Sequence, residues 1–164
     1  MLNAPRVSMA EREWAALRGT RGHLFEDFIV STFRSERPDT VELVPPEPGE
    51  LQTDLKLHLN ARTQLHELFP RDFAFIDAQG GDGKPAEPGL VLCEAKQNLN
   101  SLAEALDQLR ARCKARSPSA VFVAVASERN ADKAALRRTL QQACAKVSTA
   151  GLPRLLLCCV PFNA

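Results

Sequence analysis

The chain has 164 residues, of which 45% are hydrophobic and 25% charged, and its formal net charge is +1 from 21 basic and 20 acidic side chains. These values are typical of one globular domain, so we expect a single domain over residues 1–164 and exclude a disordered or fibrous protein. The balanced charge argues against a protein that coats nucleic acid nonspecifically. The longest apolar runs, Leu155–Val160 and Val121–Ala126, are far shorter than the roughly 20 residues of a membrane span. Because the first residues also lack a basic-then-apolar export signal, we expect a cytoplasmic protein that contacts no membrane.

The cysteines occur without the paired spacing of a zinc site. There are five of them, at positions 93, 113, 144, 158 and 159. Cys158 and Cys159 are adjacent, and the other three stand singly within apolar patterns. We therefore predict small buried hydrophobic side chains in a reducing compartment, and no zinc site.

The N-terminal half of the sequence predicts helices and one short strand. Residues 8–34 have a helical pattern, in which apolar side chains recur at helical spacing (Phe25, Phe28, Ile29 and Phe33). A strand over 40–44 and a proline-rich turn over 45–49 follow. The segment 51–59 fits a strand and a helix equally well, and 65–69 is predicted to end a short helix.

The C-terminal half alternates between helices and strongly apolar strands. The predicted elements are, in order, a strand over 72–78, a loop over 80–89, a strand over 90–96, a helix over 99–113, a strand over 121–126, a helix over 136–147 and a strand over 155–160. Helices between fully apolar strands indicate crossover connections and a sheet that is covered on both faces. The sequence therefore predicts an α/β domain.

The end of the 90–96 strand carries the candidate chemistry. The apolar run Leu90-Val91-Leu92-Cys93 changes abruptly to Glu94-Ala95-Lys96, and residues two apart in a strand share a face. Asp72 opens the preceding strand. If the two strands form an antiparallel hairpin, residues 72 and 94 are equidistant from position 83 in the loop, and Asp72 approaches Glu94.

Two carboxylates and an ammonium at one sheet edge suit metal-assisted hydrolysis of a phosphodiester. Carboxylate oxygens hold Mg²⁺ through one or two side chains plus water. The metal lowers the pKa of the attacking water, and a nearby ammonium stabilises the charged transition state. The residues therefore indicate a magnesium-dependent phosphodiesterase.

Four segments of the sequence resemble the PD-(D/E)XK nuclease superfamily. They are Gly22-His23-Leu24-Phe25-Glu26 in a helix, Arg71-Asp72-Phe73 at a strand start, Glu94-Ala95-Lys96 at a strand end and Gln108-Leu109 in the next helix. The order α-β-β-β-α-β over roughly residues 8–126 is also similar to the family's core, with 51–69 as an insertion. The resemblance implies a restriction-endonuclease-like fold: a mixed central sheet flanked by helices, here with an extra C-terminal helix and strand.

The resemblance also implies roles for individual residues. Asp72 and Glu94 would be the ligands of Mg²⁺ or Mn²⁺, and Lys96 would be the catalytic lysine. Glu26 would be an accessory catalytic acid, and Gln108 a supporting polar residue. The implied substrate is DNA.

The acid-x-lysine pattern occurs at two other places in the chain. Asp82-Gly83-Lys84 lies in a predicted turn. The stretch before Asp54-Leu55-Lys56 is not a buried run, and no crossover of ordinary length follows it. We therefore prefer Glu94 and Lys96, and keep Asp54 and Lys56 as the alternative if Lys96 is not catalytic.

Several alternatives to these roles are open. Asp77 would replace Asp72 as a ligand if the hairpin register shifts. Glu94 and Lys96 could instead form a solvated ion pair worth under about 1 kcal/mol. Glu26 could lie at an exposed edge of its helix, and Gln108 could be an ordinary surface residue.

Four basic residues near the end of the predicted helix over 99–113 are candidates for contacts with the DNA backbone (Arg110, Arg112, Lys114 and Arg116). The alternative is that they favour the helix dipole. We expect a metal-dependent DNA nuclease, acting alone, as a homodimer or with a partner protein. The alternative is a module that binds nucleic acid or protein and keeps the nuclease fold without catalysis.

Overall fold

The computed structural model describes residues 24–35, 38–45, 47–49, 55–79, 84–128 and 130–162. The helices are α1 (24–35), α2 (Leu65–Leu68), α3 (Leu102–Ala115, after a 3-10 turn at Leu99–Ser101) and α4 (Lys133–Ala145). The strands are β1 (Val41–Leu43), β2 (Lys56–Leu59), β3 (Ala74–Asp77), β4 (Gly89–Lys96), β5 (Ala120–Ser127) and β6 (Arg154–Pro161). The part of the first predicted helix before residue 24 lies outside the described residues.

The six strands form one mixed sheet in the order β1-β2-β4-β5-β6-β3. Strands β4, β5 and β6 are parallel, whereas β1, β2 and β3 pair antiparallel to their neighbours. The helices α3 and α4 are the crossovers that parallel strands require, since they connect β4 to β5 and β5 to β6. The prediction of an α/β fold with a mixed sheet flanked by helices is confirmed.

The sheet separates two hydrophobic clusters. One contains the buried residues of α1 together with Leu57 and Leu59 of β2 and Val91 and Cys93 of β4. The other contains the buried residues of α3 and α4 together with Leu92 and alternate residues of β5 and β6. Because successive side chains of a strand point to opposite faces, β4 contributes to both clusters. The apolar run Leu90–Cys93 in β4 follows from this burial on two sides.

The antiparallel hairpin predicted between residues 72–78 and 90–96 is wrong. Strand β3 pairs with β6, with Ala74 opposite Cys159, and lies at the far edge of the sheet. The neighbour of β4 is instead β2, with Lys56 opposite Leu92. Segment 51–59, predicted as part of an insertion, therefore supplies a central strand, because Leu57 and Leu59 complete the core over α1.

Candidate active site

Glu94 and Lys96 lie at the end of β4, on the face covered by α3. Glu94 is level with Val123 of β5 and Lys96 with Val125, both members of the cluster beneath α3 and α4. Their side chains are 16% and 19% exposed, respectively. The buried run before them fixes both orientations, so the prediction that they share a face is confirmed.

Arg112 of α3 binds the carboxylate of Glu94. Its Nη1 is 3.2 Å from Glu94 Oε1 and donates to the carbonyl of Cys93 over 2.8 Å. Its Nη2 donates to the carbonyl of Leu55 over 3.4 Å. One guanidinium therefore connects α3 to β4 and to the residue that leads into β2, and it gives the Glu94 carboxylate a charged hydrogen-bond donor.

The ammonium of Lys96 lies 3.7 Å from Oε1 of Glu104 in the first turn of α3. Glu104 is 63% exposed, so this ion pair is a weak one. The geometry leaves Lys96 beside the solvent at the strand end, where its position is compatible with contact to a phosphate.

Lys56 is the site residue that our sequence analysis set aside. It is fully buried on β2 and faces the same side of the sheet as Leu92, its partner in the register. Glu94 is the diagonal neighbour of Lys56, at about 7–8 Å between Cα atoms. The sequence signal for this strand is the alternation of Leu55, Leu57 and Leu59, whereas our objection concerned the stretch before Asp54, of which residues 50–53 lie outside the described residues. Asp54 lies outside the described residues.

Asp72 is not near Glu94. It is exposed in the turn before β3, and three strand-to-strand steps of about 4.8 Å, about 14 Å in all, separate β3 from β4. It lines a cavity of about 480 Å³ with Glu128 and Lys133, at the same end of the sheet as Lys96 but toward the β3 edge. The hairpin on which a cation shared by Asp72 and Glu94 depended is not formed, so the structure contradicts that pairing.

Asp77, the alternative ligand, is occupied by a structural interaction. Its Oδ2 accepts a hydrogen bond from Arg154 over 2.8 Å, and its Oδ1 accepts one from the backbone N–H of Gln79 over 3.0 Å. Its side chain is 1% exposed. Asp77 therefore fixes β3 against β6 and does not join Glu94.

The remaining predicted site residues are separated from this face or exposed. Glu26 lies on α1, whose buried residues pack against the opposite face of the sheet, and it is half-buried. Gln108 is exposed on α3. Gln108 lies between Glu104 and Arg112 on the helix face that meets Lys96 and Glu94, whereas Glu26 is on the other side of the sheet.

The basic residues expected to contact DNA do not form one surface (Arg110, Arg112, Lys114 and Arg116). Helix positions two residues apart differ by about 200° in direction. Arg110 binds the backbone carbonyls of Ser148 and Ala150 and the carboxylate of Asp107. Arg116 binds both carboxylate oxygens of Glu47, and Lys114 is exposed. Three of the four therefore have intramolecular partners, and Arg112 belongs to the Glu94 site.

The thiol of Cys93 lies next to Glu94 but on the opposite face of β4. Burial raises its pKa far above the ordinary value, and the lowering effect of Arg112 is smaller. Cys93 is therefore a neutral packing residue and is excluded as a thiolate nucleophile near neutral pH. Cys158 and Cys159 are likewise buried, whereas Cys113 and Cys144 are partly exposed.

Within the described ranges, no group of three or more histidine, cysteine, aspartate or glutamate side chains is arranged to hold a metal ion. Glu94 is the one predicted metal ligand at this site that the structure describes. A single carboxylate is compatible with Mg²⁺, which often binds through one or two carboxylates and keeps several waters.

Comparisons of the chain with protein-family models, curated proteins and solved structures found no match. None of the helices in the described part of the chain combines the length and apolar character that a membrane crossing requires.

Proposed function

We propose that the chain is a metal-dependent nuclease that hydrolyses DNA phosphodiester bonds at Glu94 and Lys96. The observation that carries this proposal is the placement of a carboxylate and an ammonium on one face at the end of a buried strand. Lys56 and Arg112 add two positive charges to that face. Arg112 pairs with Glu94 and Lys96 with the exposed Glu104, so both cations lie at the strand end where a phosphate would bind.

The order of elements supports a restriction-endonuclease-like core for the same proposal. Helix α1 is followed by the antiparallel neighbours β1, β2 and β4, then by α3 and the parallel strand β5. This is the order α-β-β-β-α-β, with α2 and β3 as the inserted elements. On this reading, the strand next to β4 is preceded by Asp54 in the sequence rather than by Asp72.

We assign a role in the proposed reaction to each of four residues at the end of β4 and around it (Glu94, Lys96, Arg112 and Lys56). Glu94 would hold the metal, which when bound supplies a Lewis acid and lowers the pKa of a water. Lys96 would place its ammonium against the phosphate and stabilise the negative charge that develops there. Arg112 would orient Glu94 from α3, and Lys56 would add positive charge beneath the substrate.

The proposal is tested by incubating the purified chain with plasmid DNA in Mg²⁺, in Mn²⁺ and in EDTA. We expect cleavage that needs a divalent cation and falls at least about a hundredfold in Glu94→Gln. Asp54→Asn, whose carboxylate is the alternative to Asp72, is expected to have a similar loss. Asp72→Asn is the matched control and should cut at the parent rate, because β3 is three strands away from β4. No cleavage by the parent chain with either cation, or an unchanged rate in Glu94→Gln, would overturn the proposal.

A non-catalytic module that binds nucleic acid or protein is the second candidate. It is favoured by one observation: the carboxylate of Glu94 already has Arg112 as its counter-ion at 3.2 Å. The same assay separates the two candidates. Retention of DNA by the chain on a gel without cleavage in Mg²⁺ or Mn²⁺ would support the binding module.

A further inference from the structure

A second cavity, of about 370 Å³, lies at the start of the edge strand β3 and is lined by α2, the turn before β3 and the first turns of α4. Its volume is within the range of about 300–1,000 Å³ that is typical of small-molecule sites. The side chains that give it chemical character are basic and aromatic: His66, Phe69, Arg71, Phe75, Lys133 and Arg137. The lining contains no acidic residue. Such a cavity is complementary to a ligand with both negative charge and a flat ring.

The positive charge of this cavity is not neutralised by neighbouring side chains. Arg71 and Arg137 are exposed, and neither has an ion-pair partner among the residues that the structure describes. The nearest acids in the sequence do not line this cavity: Glu67 is exposed on α2, Asp72 lines the adjoining cavity, and Asp132 accepts a hydrogen bond from the N–H of Ala135 as the cap of α4. Arg71, Lys133 and Arg137 therefore form a basic lining that would attract an anion.

The arrangement of these cations is held by the fold. Lys133 and Arg137 are four residues apart on α4, which places them on the same helix face. The ammonium of Lys133 donates to the backbone carbonyl of Arg71 and so ties the start of α4 to the turn before β3. Only one of its three donors is used by that bond. The ammonium is thus positioned at the cavity with two donors left.

The aromatic side of the cavity offers a stacking surface. The rings of Phe69 and Phe75 are stacked, with centroids 4.8 Å apart and planes inclined by 22°. Phe69 is 3% exposed and rigidly packed, whereas Phe75 is only partly buried. The partly exposed ring of Phe75 therefore packs against the buried ring of Phe69 and is accessible for stacking with a base.

We infer that this cavity binds the single-stranded part of a nucleic acid, with Arg71, Lys133 and Arg137 on the phosphates and Phe75 against a base. The inference deepens the proposed function, on which it rests for the identity of the substrate, by adding a DNA contact outside the cleavage site. The lateral separation of about 14 Å between β3 and β4 corresponds to about four nucleotides of a stacked strand. One strand can thus reach both places.

The test is fluorescence anisotropy of a labelled oligothymidylate with the full chain in EDTA, where no cleavage is needed. Arg137→Gln should weaken binding at least about fivefold and flatten the dependence of log affinity on log salt by up to about one unit. Arg138→Gln is the matched control, because Arg138 is the next exposed residue of α4 and does not line the cavity. It should change the affinity by less than about twofold. Equal effects of the two substitutions, or no binding by the parent chain, would overturn the inference.

A second variant addresses stacking, and a competitor addresses the other class of ligand. Phe75→Leu should weaken binding at least about fivefold without changing the salt slope, because it removes a ring and no charge. An unchanged affinity in Phe75→Leu would overturn the base contact. If polyglutamate displaces the oligonucleotide at equal charge concentration, the cavity is a site for acidic peptides, and the inference is wrong.

The outcomes for the cavity and for the cleavage site are distinguishable. Binding in EDTA that depends on Arg137, without cleavage in Mg²⁺, supports the cavity and overturns the nuclease. Cleavage that depends on Glu94, with binding that is insensitive to Arg137, supports the nuclease and overturns the cavity.

Discussion

Arg112 and Glu94 form an ion pair of 3.2 Å in which each side chain is less than a fifth exposed. The pair joins the crossover helix α3 to the strand that it follows, and the same guanidinium satisfies the carbonyls of Cys93 and Leu55. A residue predicted to contact DNA is therefore part of the framework that orients the candidate catalytic carboxylate.

Removal of this guanidinium is expected to destabilise the fold. Arg112→Met removes the guanidinium that binds a largely buried carboxylate and the carbonyl of Cys93, and should lower the free energy of unfolding by about 3 kcal/mol. Arg116→Met is the control, since Arg116 pairs with a Glu47 side chain that is 59% exposed, and it should cost under about 1 kcal/mol. Urea unfolding of both variants measures the difference. Equal midpoints for the two would contradict a structural role for Arg112.

The pair formed by Asp77 and Arg154 gives a second stability prediction. Arg154 also donates to the carbonyls of Lys84 and Pro85, so Arg154→Met frees a buried carboxylate and two acceptors at once. We expect a loss of about 3–5 kcal/mol in the free energy of unfolding. Adding Asp77→Asn should restore part of it, because the uncompensated charge disappears. A double variant no more stable than Arg154→Met would show that the charge of Asp77 does not cause the loss in the free energy of unfolding.

Lys96→Met tests whether Lys96 is catalytic or structural. The substitution keeps the aliphatic stem and removes the charge, so the fold and much of the DNA affinity should remain. If Lys96 stabilises the transition state, cleavage should fall by roughly a hundredfold. Single-turnover rates at saturating DNA, with circular dichroism as the check on folding, measure the effect. A folded Lys96→Met chain that cuts at the parent rate would return the assignment to Asp54 and Lys56.

Metal binding at Glu94 predicts a shift in thermal stability. A cation that binds the native state raises the melting temperature, and the shift grows with the logarithm of its concentration above the Kd. We expect Mg²⁺ or Mn²⁺ to raise the melting temperature of the parent and of Asp72→Ala, but not of Glu94→Gln. Differential scanning fluorimetry against cation concentration provides the measurement. An undiminished shift in Glu94→Gln would place the metal elsewhere.

The buried thiols predict a loss of stability at alkaline pH. Burial raises the pKa of Cys159 from its ordinary value of 9.0 to about 11, so between these values the unfolded chain releases a proton that the folded chain keeps. The contribution of the thiol to the free energy of unfolding is therefore complete below pH 9 and is lost as the pH rises through about 11. The loss is at most about 1.4 kcal/mol per pH unit for each such thiol. Cys159→Ala should reduce this slope in urea unfolding at several pH values. An identical slope would show that Cys159 does not contribute.

The sequence alone determined the elements that are defined by local pattern. Strands β4, β5 and β6 are continuous apolar runs, and α3 and α4 have helical apolar spacing, so their type and the α/β class could be predicted from period and length. The shared face of Glu94 and Lys96 followed from the two-residue period of a strand. These features depend only on neighbours along the chain.

The partners of the strands were decided by the tertiary structure. Residues 72–78 and 90–96 have the pattern of a hairpin, yet β3 joins β6, which is almost 80 residues away, and β2 takes the place beside β4. A short strand with two buried apolar side chains fits either place in the sheet by its pattern. The difference lies in which edge completes a core: Leu57 and Leu59 pack under α1, whereas Ala74 and Ile76 pack under α4. This strand pairing places Asp72 away from Glu94 and Lys56 beside it. The pairing could not be predicted, because burial against distant segments has no signature in local sequence.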